Sequence, residues 1–142
     1  MNVYLAGPLF STAEKQFNSA LKAALARLDP KSNYILPQEF ADSIADHPAF
    51  FELVFQNCVK EVRNCDVVVA LLDGADVDSG TCIELGIGFA LHKRLIGVRT
   101  DSRPGEDQGM NLMVTRALDE LLQLPEADVE TLAREITSVL TE

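Results

Sequence analysis

The stretch Asp66-Val67-Val68-Val69-Ala70-Leu71-Leu72, followed by Asp73-Gly74, decides the fold. Its apolar run shows no alternation, so both faces are buried, the mark of a central strand in a parallel sheet. Just upstream, Phe50–Arg63 places Phe51, Val54, Phe55, Cys58, Val59 and Val62 at three- and four-residue steps, which predicts a helix. Downstream come an acidic loop over Asp73–Ser79, a helix over Gly80–His92 and a strand over Arg94–Val98. Toward the N-terminus, Asn2–Ala6 is a short strand ended by Gly7-Pro8. Thr12–Leu28 follows as a helix with Phe17, Leu21, Ala24, Leu25 and Leu28 on one face, capped by Ser11 or Thr12 and stopped by Asp29-Pro30. Tyr34–Leu36 reads as a second strand, and residues 38–48 as loop. The remaining chain reads as a polar loop over residues 99–109 and a short helix over Met110–Leu118. A strand over Glu120–Leu124 and an amphipathic helix over Ala127–Leu140 complete it.

Alternating strands and helices predict an open α/β sheet with helices on both faces, in one domain spanning residues 1–142. Right-handed crossovers bring the strand C-termini to one edge, where ligands of such sheets bind. The loops at that edge are Gly7–Ser11, Pro37–Pro48, Asp73–Gly80 and Arg99–Met110.

The 142 residues are 47% hydrophobic and 24% charged, which excludes disorder as the main state. Twelve basic against 22 acidic side chains leave a net charge of −10, so neither a nucleic acid nor an anionic membrane surface is an expected partner. Residues 101–142 hold ten acids and three bases, a solvated outer face. The three cysteines, Cys58, Cys65 and Cys82, form no C-x-x-C pair; a reducing cytoplasm fits them better than a disulfide framework. The opening MNVYLAGPLF lacks a signal-peptide pattern, and no apolar run reaches membrane-spanning length. Two isolated histidines, His47 and His92, offer no metal-ligand spacing, and no phosphate loop or dinucleotide fingerprint occurs.

The segment Asp78-Ser79-Gly80-Thr81-Cys82-Ile83-Glu84 follows the central strand and opens a helix. Two readings of it stand. In one, Asp78 and Glu84 share a pocket, the helix N-terminus favours ionised Glu84, and the pair resembles the carboxylates that break glycosidic bonds. In the other, Thr81-x-x-Glu84 is a capping box and Asp-Ser-Gly a turn; residue chemistry alone leans to this one. Tyr4 is either a core tyrosine with a local partner or a side chain reaching the same edge. Phe10 is either a stacking platform or a staple of its loop onto the helix.

Five segments in order resemble the nucleoside 2-deoxyribosyltransferase family. They are Val3–Phe10; Cys65–Gly74; Asp78–Thr81 with Glu84-Leu85-Gly86; Arg99–Arg103; and Asn111-Leu112-Met113. The resemblance implies a flavodoxin-like sheet of about five strands in the order 2-1-3-4-5. It also implies self-association into dimers or larger assemblies that share active sites. The implied reaction transfers 2-deoxyribose between nucleobases in nucleoside salvage, without cofactor or metal, so nucleosides and nucleobases are the expected small-molecule partners. Glu84 matches the nucleophile that attacks C1′ and forms a covalent deoxyribosyl intermediate. Asp78 matches the acid that contacts the base and helps protonate it, and Tyr4 the phenol that orients the nucleophile. Phe10 and Gly7 match substrate contacts, and Asn111 and Met113 residues lent by a neighbouring subunit near the 5′-hydroxyl. The sequence departs from the family where an acidic or amide residue is common eight positions before Asp66. Cys58 stands there, otherwise read as a helix-core residue, with Asn57 beside it as a possible substitute contact.

Two other functions stay open. A sister group hydrolyses 2′-deoxynucleoside 5′-monophosphates with a partner-subunit serine near the phosphate; Asn111 favours the free nucleoside instead. A flavodoxin-like binding or signalling module with an acidic cation loop is the third, but a receiver domain's lysine is missing from Asp119–Glu126.

Overall fold

The computed structural model describes residues 1–142. Five parallel strands form one sheet in the order β2-β1-β3-β4-β5, as the resemblance implied. They are β1 (Asn2–Ala6), β2 (Asn33–Ile35), β3 (Val67–Leu71), β4 (Arg94–Arg99) and β5 (Glu120–Gln123). The helices are α1 (Thr12–Leu28), α2 (Pro37–Ser43), α3 (Phe50–Asn64), α4 (Ser79–Ala90), α5 (Leu112–Ala117) and α6 (Val129–Thr141). All five residues of β3 are buried, the environment its unbroken apolar run demands.

Strand alternation divides the core in two. Val3, Leu5, Val67, Val69, Ile96 and Val98 face α1 and α6, packing on Leu21, Leu25, Leu132 and Ile136. Tyr4, Ala6, Val68, Ala70 and Leu95 face the other way, packing with Val62 of α3 and Leu85 of α4. Tyr4 therefore sits under α3 and α4 because it is one residue out of phase with Val3 and Leu5. The chain runs from β1 to β2 on one side and then to β3 on the other, so the order reverses between β1 and β3. A crevice at the strand C-termini is expected there.

The loop predicted over residues 38–48 is corrected in its first part, where α2 covers Pro37–Ser43. Pro37 stands at the first helical position, where its missing N–H costs nothing. Buried Gln38 then ties the helix down, donating to the Lys15 carbonyl (3.0 Å) and Ser19 Oγ (2.8 Å). It also accepts from Asn18 Nδ2, which donates to the Pro8 carbonyl at 2.9 Å. This internal polar network fastens the β1–α1 loop to α1 and α2.

Helix α4 lies close against the sheet at Gly88. A Cβ there would fall 2.8 Å from Leu95 Cδ2 and 3.4 Å from Val68 Cγ2. Glu84 lies one turn earlier on the same face, so this close approach also brings its carboxylate down to the end of β1.

Candidate active site

Tyr4 is fully buried, and its hydroxyl donates to Glu84 Oε1 at 2.6 Å. Both readings of Tyr4 thus meet in one fact: it is a core tyrosine, and its partner is the carboxylate at the sheet edge.

Glu84 is not part of a capping box, which corrects the reading that residue chemistry alone favours. The helix begins at Ser79, so its N-cap is Asp78, whose Oδ2 accepts from Thr81 N–H (2.9 Å) and Thr81 Oγ1 (3.0 Å). A capping box pairs the N-cap with the third helical residue. That third residue is Thr81, and Glu84 lies three further on, in the second turn.

The expected ionisation of Glu84 by the helix terminus is also corrected. Burial pushes its carboxyl up to about 7. Donation from Tyr4 and the nearby Cys58 thiol oppose this, and the charge of Asp78 adds to it. The helix dipole fades beyond the first turn, so desolvation decides the balance. The Tyr4 hydroxyl is pushed far above its ordinary range, first by burial and then by the Glu84 charge, and remains a donor.

Cys58 is the residue whose place in the site sequence reasoning missed. It is only half-buried, not a core residue, and its thiol lies near Tyr4 and Glu84 without a hydrogen bond to either. Its position as a departure within a matched pattern was the available signal. Asn57 faces elsewhere, lining a groove with Tyr34, Ile35, Leu36 and Glu61 against the edge strand.

Gly7 ends β1 beside β3, where a Cβ would lie 3.2 Å from Leu71 Cβ. Phe10 is 75% exposed, so it is no staple; only its backbone N–H is engaged, donating to Glu14. Asn111 caps α5 by accepting from Met113 N–H at 2.9 Å. Met113 is 73% exposed and lines an apolar cavity of about 370 Å³ with Cys82, Leu85, Phe89 and Val114. The fold thus gathers Tyr4, Glu84, Asp78 and Cys58, and leaves Asn111 and Met113 on the exposed side of α5. No group of three or more His, Cys, Asp or Glu side chains converges to hold a metal ion, and no helix is long and apolar enough to cross a membrane.

Residues 3–113 match the family model described as nucleoside 2-deoxyribosyltransferase. A curated nucleoside deoxyribosyltransferase of Limosilactobacillus fermentum is 32% identical over 69 residues. That match covers 49% of this chain and only 41% of the relative's length. Among solved structures, a conserved protein of Enterococcus faecalis V583 superposes with a TM-score of 0.81 at 27% identity, covering 98% of both chains. The 2-deoxyribosyltransferase of Bacillus psychrosaccharolyticus shares the fold at a TM-score of 0.73 and 20% identity, over 94% of this chain and 90% of that one. The CMP N-glycosidase of Clostridium botulinum shares it at 0.60 and 16%, over 96% and 99%.

Proposed function

This chain belongs to the nucleoside 2-deoxyribosyltransferase family, and from that premise we propose that it exchanges the base of 2′-deoxynucleosides, with Glu84 as nucleophile. The observation that carries the reading is the 2.6 Å bond from the buried Tyr4 hydroxyl to Glu84. It holds one carboxylate oxygen and so aims the other. Ionised Glu84 attacks C1′; the C1′–O bond forms as the C1′–N bond breaks, and the electron pair leaves with the base. Asp78, beside Glu84, contacts that base and relays to the departing nitrogen a proton taken up from solvent. A second base then attacks C1′ from the vacated face, gives its N–H proton back to solvent through Asp78, and releases Glu84 as the carboxylate with the sugar's configuration retained.

Phe10, exposed at the mouth of the β1–α1 loop, offers a face for base stacking, and Gly7 keeps that approach narrow. Asn111 and Met113 serve the sugar of a neighbouring subunit, so the working unit is a dimer or larger assembly of this one domain. The exposed apolar side chains on α3 and α4, Phe51 (86%), Phe55 (59%), Ile83 (60%) and Phe89 (59%), support such an assembly. A cytoplasmic place in nucleoside salvage accords with these substrates.

The test is chromatography of 2′-deoxyinosine and adenine incubated with the protein. Appearance of 2′-deoxyadenosine without added phosphate is the expected result. Hypoxanthine released without deoxyadenosine would replace exchange with hydrolysis, and deoxynucleoside monophosphates would be tried next. No product from either substrate class sinks the enzymatic reading.

A further inference from the structure

The two carboxylate oxygens of Asp78 stand in different surroundings. Oδ2 accepts from the Thr81 backbone N–H at 2.9 Å and from the Thr81 hydroxyl at 3.0 Å. Both side-chain hydrogen bonds of Asp78 fall on this one oxygen, and Oδ1 is left for another partner. Thr81 is 1% exposed, whereas Ser79 and Gly80 just before it are exposed. Leu85 follows one turn later on the same helix face and packs in the core with Val68, Leu72 and Val77. The core therefore fixes Thr81, and the partly covered Asp78 is the group that is guided. A β-branched side chain is stiff about χ1, so hydroxyl and N–H converge on Oδ2 from one rigid residue. The hydroxyls of Thr137 and Thr141 do something else, donating to carbonyls of their own helix at 2.7 and 3.1 Å. The cap of α6 repeats the Asp-x-x-Thr spacing on the surface: Asp128 accepts from Thr131 N–H at 2.7 Å, and both residues are exposed. That cap serves as an internal control for the buried one.

We propose that Thr81 is a positioning residue for the proton transfer: its N–H and Oγ1–H occupy Oδ2 of Asp78 and thereby direct Oδ1 at the departing base. The inference rests on the reading above, in which Asp78 relays the proton. A carboxylate oxygen offers two lone pairs, so two donors fill Oδ2 and leave proton carriage to Oδ1. A proton from solvent binds Oδ1 and passes to the base nitrogen as the C1′–N electron pair leaves with that nitrogen. Asp78 is then the carboxylate again. On the return step Oδ1 takes the N–H proton of the incoming base and gives it to solvent. With the backbone N–H as sole donor, the carboxylate can swing about Oδ2; the hydroxyl removes that freedom, and orientation of the reacting group sets the rate.

The experiment is single-turnover base release, at saturating protein, from 2′-deoxyinosine and from 7-methyl-2′-deoxyguanosine. The ring of the second carries a positive charge that the leaving electron pair neutralises, so its base departs without a proton. The proteins are the wild type, Thr81→Val, Thr81→Ala, Thr81→Ser, Asp78→Asn and Thr131→Val, with circular dichroism to confirm folding. Valine keeps the branched shape without the donor, alanine is a second donor-free variant, and serine restores the hydroxyl. With 2′-deoxyinosine, Thr81→Val and Thr81→Ala should slow release by about 10-fold, the scale for one hydrogen bond to a charged group. Thr81→Ser should recover most of that loss, and Thr131→Val should match the wild type. With 7-methyl-2′-deoxyguanosine, the Thr81 variants should stay near the wild-type rate. A merely structural threonine would slow both substrates alike. Donor-free variants as fast as the wild type on 2′-deoxyinosine, slowed equally on both substrates, or not improved upon by Thr81→Ser, would overturn the proposal. If the wild type acts on 2′-deoxyinosine alone, recovery in Thr81→Ser decides. Asp78→Asn separates the proposal from the reading beneath it. Loss there on 2′-deoxyinosine beside unaffected donor-free variants defeats the role of Thr81 alone. Asp78→Asn as fast as the wild type, or a wild type that releases no base, defeats the relay and the proposal together.

Discussion

Two polar clusters lie at the C-terminal edge of the same sheet and differ in how their charges are met. Between β3 and β4, Asp73 accepts from Thr100 N–H (2.7 Å), Asp101 N–H (2.9 Å) and the Thr100 hydroxyl. Arg99 beside it is 2% exposed and donates to the carbonyls of Leu72 (2.6 Å), Gly74 and Arg103. Asp101 accepts from Gly74 N–H at 3.0 Å. The backbone N–H of Arg103, then that of Gly74 and the nearby guanidinium charges, hold its carboxyl below the ordinary range. At the crevice between β1 and β3, Glu84 has a phenol, a thiol and a like-charged neighbour, and burial pushes it up. A carboxylate surrounded by backbone donors is scaffold. One left short of donors near neutrality is poised for chemistry. Exposure alone would not have separated them, since Asp73, Asp101 and Glu84 are all partly covered.

The comparison breaks first at Glu84. Glu84→Gln should lower base exchange on the order of 10⁴-fold, the scale for losing a covalent nucleophile. It should also stabilise the fold. Native Glu84 keeps its proton to about pH 7, whereas unfolded it releases it near 4.5. The native state therefore binds more protons in that window, and wild-type stability falls as pH rises through it. Gln has no proton to lose. The variant's advantage should grow from pH 4.5 to 7 and level off above at up to about 3 kcal/mol, read by denaturant unfolding at pH 5 and pH 8. A flat difference would mean that Glu84 carries no such shift.

At the other cluster the effect should reverse. Arg99→Met leaves buried carbonyls without a donor and should lower unfolding free energy by roughly 3 kcal/mol. Exchange should persist in whatever fraction stays folded, as measured per folded molecule. A stable variant without activity would move Arg99 from scaffold to site.

The smallest of these effects is expected at Tyr4. Tyr4→Phe keeps the ring in the core and removes one donor to a charged group, so kcat/KM should drop about 10- to 100-fold. Wild-type kcat/KM should itself fall as the pH drops below about 7, where Glu84 takes up its proton. In Tyr4→Phe that limb should shift to higher pH, because a donor to the charged form is gone. An unshifted limb would show that the phenol is packing only.

Much of the fold was legible because its signals are local. The unbroken apolar run of β3 and the three- and four-residue steps of α1 and α3 each state an environment within one element. Helix α2 was missed although Pro37 marks its first residue, because its anchor, Gln38, bonds to α1 across about 20 residues of sequence. Within the site, Tyr4, Asp78 and Glu84 were found through order and resemblance, but their electrostatics were misjudged. Helix position argued for an ionised glutamate and spacing for a capping box.

By itself, the sequence determined the strands, most helices and the acidic surface and named the candidate site side chains, because residue type and periodicity are properties of short segments. Only the tertiary structure decided what Glu84 is. Its partner Tyr4 stands 80 residues away in the chain, Cys58 arrives on a third element, and the burial that lifts its carboxyl to about 7 exists only once α3 and α4 close over the end of β1. Desolvation belongs to the packed assembly of elements, and no single segment carries it.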